Sequence, residues 1–439
     1  MIVVPAEALT DLDHRQTPTC LRFRHCDGDD VYTAMGVRNG VETVPGSVVM
    51  DACECMDVKS IGSPDDHVRV IVPPSLPVSI SEAPVPKEAL EAATEDASVP
   101  AQISAVGYVK RHNRWHKVPV EIVPLQEQLY SRTRGLFETD VLAGTRIFVA
   151  GLGSGGSPIA WELAKLGVGR MTLMDHDRVE VANVVRHMAG LSDVGRLKTN
   201  VMADMIRDKN PYADLTCLAE KITWDSKDVV RDAVRESDLV ISGVDDHDAR
   251  VILNRICVQN DKPLIIGGAF RRAYGGQVLV VRPGKTPCYQ CFLEAMPEKA
   301  RDREIAGSQQ AQRYAYSDRP VAIEPGLSTD IAPISLMMVK LAIQQLLHGT
   351  QTTLASLNED LVAPWYLWIN RREIGTDYAN LEPLEFGVDG LRVLRWYGVD
   401  FERNPACPCC GDFVEQLAGQ DGIHVNEDQI AAFAADGTN

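Results

Sequence analysis

The stretch TRIFVAGLGSGGSPIAWELAKLGV, Thr145 to Val168, constrains the fold more than any other part of the chain. TRIFVAG is a continuous apolar run with β-branched residues, and SPIAWELAKLGV carries apolar residues at helical spacing. Between them Gly151, Gly153 and Gly156 form G-x-G-x-x-G. A buried strand that ends in glycines and opens into a helix is a β-loop-α unit, whose unpaired backbone N–H groups suit an anion at the helix N-terminus. RMTLMDHD, SDLVISGVDD and DKPLIIGGAF each repeat a buried run followed by a polar edge. This alternation predicts an α/β fold with a doubly wound, mostly parallel, Rossmann-like sheet and a ligand at the carboxyl ends of its strands.

The flanks read differently. Residues 1–125 mix short β-like runs with Gly and Asp turns and are expected to form a small N-terminal β-rich or α+β module. Its segment SEAPVPKEALEAATEDASVPAQ, from Ser81, reads as a linker or one polar helix, and SAVGYVKRHNRWHKVPVEIV as a hairpin about RHNR. Residues 126–411 hold the α/β domain, and 412–439 form an acidic tail. With 44 Lys and Arg against 61 Asp and Glu, the net charge of −17 argues against an extended nucleic-acid surface. Neither a signal peptide nor a membrane span is expected, and cysteines paired as CxxC point to metal in a reducing compartment, the cytoplasm.

The glycine loop alone fits a dinucleotide or ATP equally well. Asp175, at the tip of the second strand, is placed to accept hydrogen bonds from a ribose in either. The block that follows separates the two. Asp177, Asn183, Arg186 and Lys198 follow the ribose acid, and the arginine and lysine bring cations where a dinucleotide needs none, whereas a triphosphate needs its charge neutralised and its pyrophosphate held. Asp245, at the end of a later strand, is placed to hold Mg²⁺.

In these features the sequence resembles the ThiF/MoeB/E1 adenylating enzymes, over about Leu129 to Gly411. GLGSGG resembles their nucleotide loop, DHD at Asp175 to Asp177 their ribose acids, and NVVRH at Asn183 to His187 their NxxRQ phosphate motif. Lys198 in DVGRLK, Asn210-Pro211 and Asp245 match further family positions. The resemblance implies activation of the C-terminus of a ubiquitin-like protein with ATP and Mg²⁺. It also implies a homodimer in which an arginine of LYSRTRGLF, best matched by Arg132 with Arg134 as rival, reaches the triphosphate of the other subunit. His187 replaces the usual Gln, a departure associated with bacterial E1-like proteins encoded beside ubiquitin-like genes in defence operons. An E2-like conjugating protein is then a further expected partner.

Two CxxC pairs, Cys288 with Cys291 and Cys407 with Cys410, have the spacing of turns that present thiolates to a tetrahedral Zn²⁺. Their separation leaves two buried thiol pairs or a redox CxxC open, while the resemblance implies one shared structural zinc. Family members that carry a thioester use a cysteine in the crossover loop, and here there is none between Cys291 and Cys407. The chain would then stop at the acyl-adenylate, pass it to a partner's thiol, or use Cys20, Cys26, Cys53, Cys55, Cys217 or Cys409. Cys257 reads as core packing. The paired glycines of GGAFRRAYGGQVLVV are expected to let a substrate tail approach closely, with Arg271 and Arg272 toward an acidic partner.

The sequence thus reads as an E1-like adenylyltransferase, with Arg186, Lys198, Asp245 and Arg132 on the reaction and Gly151, Gly153, Gly156, Asp175, Asp177 and Asn183 on the nucleotide. The alternatives are an inert zinc-stabilised scaffold of the same fold and an NAD-dependent oxidoreductase, which would leave the cations and cysteine pairs without a role.

Overall fold

A computed structural model of the chain describes residues 2–5, 20–26, 31–38, 47–53, 58–62, 68–72, 106–111, 114–123, 128–133, 135–137, 139–296, 326–381 and 390–412. The chain divides into two compact units, Met1–Arg132 and Thr133–Asn439. The expected linker from Ser81, the crossover loop and all but the start of the acidic tail lie outside the described residues.

The first unit is a closed barrel of eight strands: β1 (Ile2–Pro5), β2 (Cys20–Cys26), β3 (Val31–Arg38), β4 (Ser47–Cys53), β5 (Val58–Gly62), β6 (Val68–Val72), β7 (Val106–Arg111) and β8 (Arg114–Val123). The sequence left β-rich and α+β open for this module; the described elements are all strands. The hairpin about RHNR is formed by β7 and β8, with Arg111 opposite Arg114. β8 also pairs in parallel with β1, so the hairpin closes the first unit rather than opening the second.

The second unit is built on an eight-stranded sheet. It comprises β9 (Arg146–Ala150), β10 (Arg170–Met174), β11 (Asp214–Leu218), β12 (Leu239–Ser242), β13 (Leu264–Ala269), β14 (Gly275–Val281), β15 (Trp365–Ile369) and β16 (Trp396–Val399), in the order β11-β10-β9-β12-β13-β14-β15-β16. β9 to β13 run parallel, and β14 to β16 extend the sheet antiparallel. The longer helices are α1 (Gly156–Lys165), α2 (Lys198–Lys209), α3 (Lys227–Glu236), α4 (His247–Gln259), α5 (Tyr289–Ala295) and α6 (Ser328–Leu346). No helix among the described residues is long and apolar enough to cross a membrane.

Strand β9 shows why the sheet is covered on both faces. Ile147 and Val149 join a core with Ile159 and Leu163 of α1, Met202 and Ile206 of α2, and Leu341 of α6. Phe148 and Ala150 point the other way, into a core with Val230 and Val234 of α3 and Ile252 and Leu253 of α4. Alternate residues of one strand therefore need different apolar layers, which is what a continuous hydrophobic run signifies. On α1 the buried positions Gly156, Ile159, Ala160, Leu163 and Ala164 recur at helical spacing and form its sheet-facing stripe. The helix end expected at Asn210-Pro211 is present: Asn210 follows α2, buried, and its Nδ2 donates to Val168 O at 3.0 Å. Cys257 is fully buried in α4, as expected of a packing residue.

The strand order reverses at β9, which lies between β10 and β12, and there the glycines set the geometry. Gly151 has φ +82°, and a Cβ on it would stand 2.7 Å from Val244 N. A Cβ on Gly156 would fall 1.8 Å from Gly151 O, and one on Gly243 2.9 Å from Gly156 Cα. Gly153 meets nothing within 4 Å. Gly151→Ala is therefore expected to lose roughly 2–4 kcal/mol of stability in denaturant unfolding, through a left-handed conformation plus the clash. Gly153→Ala is expected to stay within about 0.5 kcal/mol of the parent in the same measurement.

Candidate functional site

At this reversal the strand tips open into a cleft. It is lined by Gly151 and Gly153 after β9, Asp175, His176 and Asp177 after β10, Lys221 after β11, Asp245 after β12 and Gly268 in β13. Arg186, Lys198 and Arg250 enter from the connecting segments and helices, and Ser335 from α6. Seven residues singled out from the sequence thus share one cleft: Gly151, Gly153, Asp175, Asp177, Arg186, Lys198 and Asp245.

The loop between β9 and α1 is held at the peptide groups of Leu152. Its N–H donates to Asp175 Oδ2 at 2.7 Å, and its C=O lies 2.6 Å from His187 Nε2. The Nδ1 of the same imidazole accepts from Ala189 N–H at 2.9 Å, so the ring is the neutral Nε2–H tautomer and donates to Leu152. Asp175 Oδ1 accepts from Asp177 N–H at 2.8 Å. Both carboxylate oxygens of the expected ribose acid are thus also used to shape the loop.

Lys198, the first residue of α2, is buried and donates from Nζ to Asp177 Oδ2 at 2.8 Å, while its N–H donates to Asp177 O at 3.0 Å. Burial tends to raise the Asp177 carboxyl, but the hydrogen bond and charge of Lys198, with His176 and Lys221, hold it below the usual carboxylate range. Asp245 is exposed at the mouth. Its neighbour Asp246 also lines the cleft and caps α4, accepting from Ala249 N–H at 2.8 Å.

Three expected residues stand elsewhere. Gly156 packs backbone against backbone under Gly151 instead of facing the cleft. The Oδ1 of Asn183 accepts from Glu180 N–H at 3.0 Å, so it caps its own turn and sets the approach of Arg186 and His187, whose N–H groups both donate to Asn183 O. Arg132 is exposed in a turn of the first unit, and Arg134 lies outside the described residues.

The glycine-rich hairpin also packs against a helix. A Cβ on Gly267 would lie 2.1 Å from Met338 Sδ, and one on Gly276 2.1 Å from Ile334 Cδ1. Gly267 and Gly276 thus let α6 press on the sheet, while Gly267 and Gly268 also line the cleft. Arg272 is paired with Glu373 at 2.8 Å within the same unit.

Sequence reasoning missed Arg250, His176, Lys221 and Ser335. Arg250 is 2% exposed and donates to Val244 O at 2.9 Å and Gly267 O at 3.0 Å, joining the tips of β12 and β13. Its only signal was an arginine one helical turn past a capping aspartate. Lys221 belongs to no motif, and Ser335 arrives from a distant helix.

On the far side of α4, the sulfurs of Cys288, Cys291, Cys407 and Cys410 all lie within 4.8 Å of one another, and all four residues are buried. Cys288 and Cys407 are 3.7 Å apart and Cys291 and Cys410 3.4 Å, with no disulfide among them. Bonds from Cys288, Cys407 and Cys410 hold the Cys291 thiol far below its ordinary value, while Cys288 is pushed up to about 12, first by its bond to Cys291. The cluster strongly favours one thiolate and resists more, a conflict that a divalent cation removes; four convergent thiols are the donor set of tetrahedral zinc. Cys217 is half-buried, with its thiol pushed up by burial. The side chains of Cys20, Cys26, Cys53 and Cys55 lie outside what is described.

Fold and site together define a doubly wound α/β protein with a cleft lined by both cations and carboxylates at its topological switch point and a separate four-thiol cluster. The ThiF family description matches residues 126–363, and the chain belongs to the ThiF family. It is 32% identical over 168 residues to the sulfur carrier protein ThiS adenylyltransferase of Escherichia coli (strain K12), covering 38% of this chain and 65% of that protein. It is likewise 32% identical over 178 residues to the adenylyltransferase and sulfurtransferase MOCS3 of Sus scrofa (40% and 38% covered). Identity is also 32% over 177 residues to ubiquitin-like modifier-activating enzyme 5 of Branchiostoma floridae (36% and 42%). The chain spans less than two thirds of the length of each of these relatives.

Burial, more than the nearby Lys198, holds His187 below the ordinary imidazole value of 6.5, against the opposing influence of the Leu152 bond, Asp175 and Asp193. The unfolded chain then takes up this proton first as pH falls below 6.5, so the stability from neutral His187 is intact above that pH and lost as pH drops through the folded value. The contribution to the slope is at most about 1.4 kcal/mol per pH unit. Thermal unfolding between pH 7 and 5 is expected to show a shallower acid loss in His187→Gln than in the parent.

Proposed function

We propose that this chain is an E1-like adenylyltransferase that activates the C-terminal carboxylate of a ubiquitin-like protein with ATP. The observation that carries the reading is the convergence of Arg186, Lys198 and Asp245 on the same cleft as the glycine loop. Membership of the ThiF family and the printed names of the relatives, which include an adenylyltransferase of a sulfur carrier and an activating enzyme of a ubiquitin-like modifier, support the same reaction.

In this reading the triphosphate lies over Gly151, Gly153 and the N-terminal end of α1, with Asp175 toward the ribose. The substrate carboxylate attacks the α-phosphorus, the acyl-adenylate forms and pyrophosphate leaves. Arg186 and Lys198 balance the charge of the leaving pyrophosphate; Lys198 is already oriented by Asp177, so little reorganisation accompanies the reaction. The carboxylate is a sufficient nucleophile, and no general base is required of the protein. Asp245 would hold Mg²⁺, which supplies charge compensation to the phosphates. Arg132 would complete the site from the second subunit of a homodimer, and an E2-like protein would receive the activated product. Cys288, Cys291, Cys407 and Cys410 would hold a structural Zn²⁺, in keeping with a reducing compartment, the cytoplasm. The defence-operon association of His187 makes a neighbouring ubiquitin-like protein the first substrate to try.

ATP–pyrophosphate exchange with that carrier protein tests the reaction. Exchange is expected, and Lys198→Ala is expected to slow it by about 100-fold or more. No exchange in the parent protein would overturn the assignment and leave the inert-scaffold reading, while full exchange in the variant would overturn the role given to Lys198. Elemental analysis of the full chain is expected to find one zinc per chain, absent from Cys291→Ser.

A further inference from the structure

Helix α4 joins the two features that the proposed function keeps apart. It starts directly after Asp245 and Asp246, and its first turn brings Ala249 and Arg250 to the cleft. One turn beyond Arg250, on the same face, stands Asn254, 1% exposed. Its Oδ1 accepts from Tyr289 N–H at 2.9 Å, the residue after Cys288. Its Nδ2 donates to Cys409 Sγ at 3.2 Å, between Cys407 and Cys410. The orientation of an amide is ambiguous by shape, but Tyr289 N–H can only donate, so oxygen must face it and nitrogen must face the sulfur. Cys409 in turn donates its backbone N–H to Cys407 Sγ at 3.4 Å.

A single buried side chain therefore grips both CxxC turns, which lie 119 residues apart in sequence. The grip has a second point at the start of the helix. Tyr289 Oη lies 3.4 Å from His247 Nδ1, with the ring centroids 6.0 Å apart. From Asn254 the contacts run through one turn of α4 to Arg250, and from Arg250 to the carbonyls of Val244 and Gly267 at the cleft.

We propose that Asn254 is the positioning residue of the four-thiol metal site, and that through α4 it links metal affinity to nucleotide affinity in the cleft. The metal half stands on the cysteine geometry alone; the cleft half rests on the adenylation reading. A residue that orients metal ligands typically changes affinity by about 10-fold to 100-fold when replaced. Because Asn254 and Arg250 stand one turn apart on α4, loss of the Asn254 hydrogen bonds loosens the helix that carries Arg250 to the cleft.

The test uses the full chain with Asn254→Leu, close in volume and lacking both hydrogen bonds, and Asn254→Asp, which keeps the acceptor for Tyr289 N–H and serves if the first variant fails to fold. Zinc affinity is read by competition with a chromogenic chelator, and ATP·Mg²⁺ affinity by calorimetry at saturating zinc. Both variants are expected to hold zinc at least about 10-fold more weakly. Asn254→Leu is expected to bind ATP several-fold more weakly even when zinc-loaded. Zinc affinity within twofold of the parent in both variants, or no zinc in the parent, would overturn the assignment of Asn254. Weakened zinc with unchanged ATP affinity would overturn the link to the cleft. A parent protein that binds zinc but no ATP would sink the nucleotide reading and leave the zinc measurement to decide on Asn254.

Discussion

Three backbones meet at the head of β9 with no room for a side chain between them: Gly151 against Val244, Gly156 against Gly151, and Gly243 against Gly156. The rest of the second unit depends on this contact. It brings α1 down on the end of the strand that carries it, sets β12 beside β9 where the strand order reverses, and leaves the tips of the parallel strands to diverge into a cleft. Any larger residue would separate the helix from the sheet and fill the place where an anion would meet the loop.

Given that contact, a short list of polar residues shapes the cleft, and several have two duties. Asp175 and His187 hold the two sides of the Leu152 residue, so the loop is braced by buried groups whose hydrogen bonds are satisfied. Asp177 receives Lys198 through both main chain and side chain, which orients the cation before any ligand arrives. Arg250 spends its donors on strand-tip carbonyls and keeps β12 and β13 in register at the cleft floor. The cations of the site are preorganised by such pairs, in a protein whose net charge is −17.

Much of the second unit was legible in the sequence because its signals are local. Apolar runs bounded by glycines and acids marked β9, β10, β12 and β13, and the helical spacing of Ile159, Leu163 and Ala164 marked α1. Among the site residues, Lys198 and Asp245 were found because they follow recognisable turns, whereas Lys221 and Ser335 carry no local pattern. Asn183 and Gly156 show the converse: a motif identifies positions that matter without saying whether the side chain faces a ligand or builds the wall behind it. Gly267 and Gly276 make room for α6, a use the sequence did not reveal, since a missing side chain does not name the neighbour that needs the space.

The sequence by itself determined the alternation of strands and helices, the phosphate-type glycine loop and the spacing within each cysteine pair, because each depends on residues a few positions apart. Only the tertiary structure decided that two CxxC pairs over a hundred residues apart converge on one buried cluster, that Asn254 stands between them, and that His187 braces the glycine loop. The first unit closed into a barrel through the parallel pairing of β1 with β8, a contact between the two ends of that unit. These are contacts across the fold, set by how layers pack, and a linear pattern holds no record of which distant residues a given packing brings within hydrogen-bonding distance.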